Sequence, residues 1–158
     1  RSMSLVDIIY RQFNAAWQML SDGSMKCPEE SWKSPADDPF FTPARLAIHA
    51  IQTVDYYTSD NRDGFDWLGL GFDVLTVAPD QLPQRPVARE YCHRTQEQVE
   101  DWLMRHGPDG LLSEDTEFAP DFPTRLDRAI YVIRHTQHHA GQLSREIQRR
   151  GFGQMEWV

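Results

Sequence analysis

Four stretches of the chain repeat apolar residues at the three- and four-residue spacing of an amphipathic helix, and none alternates cleanly enough for a strand. The first predicts a helix from about Ser4 to Leu20. Leu5, Ile8, Ile9, Phe13, Ala16, Trp17 and Leu20 share one face, Ser4 caps it with Asp7 three residues on, and Ser21-Asp22-Gly23 ends it. The second starts near Thr42 with Pro43 in its first turn and reaches about Thr58, with Leu46, Ala50, Thr53 and Tyr57 as its buried stripe. The third runs from about Arg85 to His106, with Val87, Tyr91, Thr95, Val99 and Trp102 inward, until Gly107-Pro108 stops it. The fourth starts near Pro123-Thr124 and runs to Arg150, with Gly151 just beyond. The connections, residues 26–41, 60–84 and 110–122, are rich in proline, glycine or acidic residues and read as loops. The middle one holds an apolar cluster, Phe65, Trp67, Leu68, Leu70 and Phe72. The pattern predicts an all-α chain, one four-helix bundle domain over residues 1–158, whose long connections permit crossover topologies.

Composition narrows the function classes. At 158 residues, with 40% hydrophobic residues, the chain is long enough to bury a core without a disulfide. A net charge of −8 argues against nucleic acid and against an anionic membrane surface as partners. No apolar run approaches the roughly 18 residues of a spanning helix. Met3 reads as a natural start, preceded by Arg1-Ser2, and no apolar export signal follows it. Cys27 and Cys92 make neither a CxxC nor a disulfide framework, so a cytoplasmic location is expected. Cys27, in a loop, is expected to be an exposed neutral thiol, and Cys92 and its neighbour His93 do not face each other on a helix, so no Cys–His nucleophile is expected from that pair.

Candidate chemistry lies in the histidines. Of six, three fall in Arg134-His135-Thr136-Gln137-His138-His139. His135 and His139 are one helical turn apart, the spacing at which two imidazoles reach one divalent ion. Both flank the apolar stripe of the fourth helix, while His138 points further out. His49 flanks the stripe of the second helix in the same way, so the three suit a cleft at the bundle edge. Two half-exposed surface histidines are the competing reading of that pair. His106 reads as packed or C-capping and His93 as exposed.

The run His135-Thr136-Gln137-His138-His139-Ala140-Gly141-Gln142 resembles the fourth-helix signature of the DinB/YfiT-like proteins: a His, three residues, a second His, one residue, then Gly-Gln. His49 sits where that pattern has its third histidine, and Phe13-Asn14-Ala15-Ala16-Trp17 is similar to the family's opening aromatic-Asn-x-x-Trp. Ala140 stands where the family commonly has Arg. The resemblance implies an up-down-down-up bundle, often a homodimer. It implies one divalent metal ion, nickel or zinc, on His49, His135 and His139, and in some members a low-molecular-weight thiol as cosubstrate.

A three-histidine ion of this kind suits thiol S-transfer to a small-molecule substrate, as in detoxification or stress response, and also hydrolysis. A non-catalytic metal-binding protein and a helical dimerisation domain with an incidental histidine cluster are the rival readings. Three further residues are candidates around the site. Tyr56, two turns from His49, is placed to donate to substrate or to pack in the core. Glu146, beyond His139, touches substrate or pairs with Arg149 or Arg150. Arg128, two turns before His135, is placed to bind a carboxylate. Exposed apolar residues between Phe65 and Phe72, together with Trp157-Val158, are the candidate dimer contacts.

Overall fold

The strongest helix starts in the sequence are built as their residues dictate. In this computed structural model, which describes residues 2–67 and 74–158, helix α1 covers Leu5–Lys26 and α4 covers Arg125–Arg149. Both open with a reciprocal capping box: Ser4 with Asp7, and Thr124 with Asp127. Each pair satisfies two otherwise unpaired backbone donors. Helix α2, Pro43–Thr58, opens on a proline, and α3, Arg85–Leu112, carries one at its second position. No strand is present among the described residues; a lone antiparallel bridge, Glu114 with Thr124, ties the two ends of the α3–α4 connection.

Helix α4 packs chiefly on α1 and α2, and α3 packs on the other side of the same two helices. The order around the bundle is therefore α1, α4, α2, α3, with α1 diagonal to α2 and α3 diagonal to α4. The core fills this square with Phe13, Trp17 and Leu20 from α1, Leu46, Ile48 and Ile51 from α2, Tyr91, Val99 and Trp102 from α3, and Val132, Leu143 and Ile147 from α4. No described helix is long and apolar enough to cross a membrane.

Four details depart from the sequence reading. Helix α1 continues past Ser21-Asp22-Gly23 to Lys26. Gly23 is a packing glycine, because a Cβ there would collide with Met155 of the C-terminal segment and press on Leu143 of α4. At Gly107 the backbone leaves the helix (φ +65°), as expected, but one more helical turn follows from Pro108 to Leu112. Val87, assigned to the inner stripe, is 52% exposed, because the core face of α3 begins a residue later at Ala88. Cys27 is fully buried rather than exposed, and burial raises its thiol pKa to about 11. Leu68, Leu70 and Phe72 lie outside the described residues. Phe65 and Trp67 pack against Tyr56.

Candidate metal centre

The one-turn spacing of His135 and His139 turns both rings from α4 toward α2, where His49 meets them. Ring centroids lie 4.3 Å apart for His135–His139, 4.6 Å for His49–His139 and 5.0 Å for His49–His135. One nitrogen from each of the three falls within 4.8 Å of the others. Tetrahedral zinc with Zn–N near 2.05 Å sets its nitrogens about 3.3 Å apart. The His135–His139 pair, at 3.1 Å, already has that spacing, and with the His49 ring beside it the group could hold a single ion.

The protonation states agree with that use. Burial pushes the His49 pKa down to about 4 and that of His135 to about 3, with the neighbouring histidines adding to the effect. Burial also lowers that of His139. All three are neutral imidazoles at pH 7, each with a lone pair to give. The nitrogens Nε2 of His135 and His139 face each other at 3.1 Å. The other nitrogen of His139, Nδ1, lies 2.7 Å from Oε1 of Gln142, whereas Nδ1 of His135 is buried with no partner. The two converging Nε2 atoms and the His49 ring beside them are a neutral nitrogen donor set of the kind that could hold a cation.

A cavity of about 190 Å³ opens beside His49 and His135, walled by Thr53, Tyr56, Tyr57, Trp67, Val74, Leu75 and Tyr131. No carboxylate or basic side chain is among these residues. Gln52 of α2 holds Trp67 in place by donating to its carbonyl at 2.9 Å. Arg45, buried in the first turns of α2, donates to the carbonyls of Pro39, Val74 and Val77 and so fixes the chain on either side of the site.

The other sequence candidates separate. Tyr56 lines the cavity with His49, half-buried and in ring contact with Tyr57, Phe65, Trp67 and Phe118. Arg128 is fully buried and is not part of the cavity wall. Its Nε faces Asp115 at 2.9 Å, Nη1 donates to the Tyr57 carbonyl, and the guanidinium lies over Trp102 and Phe118. It is committed inside the fold rather than offered to a ligand. Glu146 is buried and held by Arg149 and Arg150, and it borders a separate outer groove with Gln142, Arg145 and Phe41. His106 is half-buried beside Asp60, and His93 is exposed beside Glu97.

Sequence reasoning passed over Tyr131, Thr53 and Phe40. Tyr131 and Thr53 lie one turn from His135 and His49 and line the same cavity; the spacing that singled out the ligands points to them too. Phe40 comes from the loop before α2, its ring 6.1 Å from that of His139, and carries no periodic signal. No family model, curated protein or solved structure matches the chain. The fold and site thus define, on their own evidence, an all-helical four-helix protein with a three-histidine cluster able to hold a metal ion.

Proposed function

We propose that the protein is a metal-dependent enzyme of the DinB/YfiT type. In this reading it holds one divalent ion, nickel or zinc, on His49, His135 and His139, and transfers a low-molecular-weight thiol to a small-molecule electrophile in detoxification or stress response. The observation that carries the reading is the convergence of three neutral imidazoles at the edge of an aromatic cavity. An ion bound there supplies Lewis acidity, making a thiol or water presented to it an anion near neutral pH.

The chain's own residues supply the rest. Tyr57, Trp67 and Tyr131 offer an uncharged wall that excludes water and seats an apolar substrate. Tyr56 presents a hydroxyl at the same wall for a substrate heteroatom. Thr53 spends its hydroxyl on the His49 carbonyl, 2.9 Å away, and so contributes shape rather than a donor. Metal-dependent hydrolysis is the alternative, served by the same Lewis acidity; the resemblance to the DinB/YfiT-like proteins puts thiol transfer ahead of it.

The test is elemental analysis of the untagged protein beside His49→Ala, followed by a thiol panel with a chlorinated nitroaromatic. About one ion per chain, lost in the variant, together with metal-dependent thiol consumption, is expected. A chain that takes up neither nickel nor zinc on reconstitution overturns the reading, and an ion retained in His49→Ala removes α2 from the ligand set.

A further inference from the structure

We infer that Gln142 is the positioning residue of the cluster. It holds His139 in the tautomer that carries its proton on Nδ1, so that the lone pair of Nε2 points at the centre of the three histidines. The inference rests on the metal-site reading above for its purpose, but not for its measurement.

Gln142 lies one turn beyond His139 on α4, and its Oε1 is 2.7 Å from His139 Nδ1. A carbonyl oxygen only accepts, so Nδ1 must carry the hydrogen, and a neutral imidazole then has its lone pair on Nε2. That Nε2 faces Nε2 of His135 at 3.1 Å, inside the cluster. The Nδ1–H form is the minority tautomer of a free histidine side chain, so an acceptor is needed to select it. Gln142 is half-buried and borders the outer groove, so it reaches His139 from the side away from the other two rings. Nδ1 of His135, by contrast, is buried without a partner. Among the described residues, His139 is the one of the three whose far nitrogen meets a side-chain carbonyl. A polar group on the far nitrogen of a ligating histidine also raises the basicity of the near one.

Two replacements separate acceptance from packing. Glu at position 142 can only accept and keeps the shape; Met keeps much of the bulk and cannot accept comparably. Nitrogen-15 NMR of the metal-free protein reads the tautomer directly. It is run in a His135→Leu background, so that no proton from His135 biases Nε2. His139 is expected as Nδ1–H with Gln142 or with Gln142→Glu, and to move toward Nε2–H with Gln142→Met. Cobalt titration of the otherwise wild-type chain, followed by visible absorption, is expected to show Gln142→Glu binding at least as tightly as wild type. Gln142→Met is expected to be weaker by about 10–100-fold, with thermal midpoints unchanged. An Nε2–H His139 in the Gln142 protein overturns the inference. So does a Gln142→Glu chain that loses affinity as Gln142→Met does, because the amide would then be donating. A wild-type chain that binds no cobalt while His139 remains Nδ1–H overturns the metal reading and leaves Gln142's role standing.

Discussion

Two polar clusters lie buried between the helices, and they are built on opposite principles. Around Arg128 charge meets opposite charge, although Nε and Nη2 of Arg128 face their carboxylates without hydrogen-bond geometry. Its guanidinium meets Asp115 at 2.9 Å, Asp60 at 3.4 Å and Glu117 at 3.6 Å, with the Tyr57 carbonyl beside it and aromatic faces against it. Around His139 no countercharge is present among the described residues, and the ring nitrogens of three helical side chains converge on one another. The first cluster is closed: it pins the start of α4 to α2 and to the α3–α4 connection. The second gathers neutral nitrogens that could share one cation. Buried charge matched by opposite charge holds a fold together, while converging neutral donors offer a place for a ligand.

Arg128→Met should break the first cluster hardest. It leaves Asp115 buried without its cation, and losing one partner of such a pair costs about 3–5 kcal/mol. Urea unfolding measures it, and a cost below about 1 kcal/mol would show that the cluster does not hold α4.

Acid should separate the clusters by where stability is lost in the metal-free protein. The folded-state values of His49 and His135, about 4 and about 3, lie below the ordinary histidine range. The unfolded chain therefore takes up protons first, and stability present above about pH 6.5 is lost as pH falls toward those values. Glu117 and Glu146 act in a lower window. Burial opposes ionisation of Glu117, but the hydrogen bond from Arg125 leads the opposing effects that hold it at about 2. Arg149 and then Arg150 hold Glu146 below the usual range against burial. Their contribution is present above about pH 4.3 and lost below it. Urea midpoints against pH should show both windows, and replacing all three cluster histidines by Leu should erase the upper one alone.

The smallest effect is expected at neutral pH. The same triple Leu variant, free of metal, should match wild-type stability closely, since swapping mutually facing polar groups for apolar ones of similar size is nearly neutral. A loss as large as that of Arg128→Met would make the histidine cluster structural and dissolve the contrast.

The histidine site was readable in the sequence because its signal is local. One turn separates His135 from His139, and His49 flanks a clear stripe on another helix. The starts of α1 and α4 were readable for the same reason, their caps lying three residues from their partners. The environment of Arg128 was not, because Asp60 and Asp115 come from connections whose course no periodicity encodes. Glycine misled at position 23, where its lack of a side chain serves contact with Met155 rather than a chain reversal.

The diagonal placement of α1 against α2 and of α3 against α4 carries a consequence for assembly. Residues 27–42 and 113–124 must pass over an end of the bundle, so neither pair can form as a helical hairpin. The main contacts of α4 go to α1 and α2, helices far from it in the chain, so they are non-local. Non-local contacts slow folding, because loop entropy must be overcome before they reward it. The α2–α4 junction that gathers the histidines joins distant parts of the chain, so the site exists only once those two helices have met.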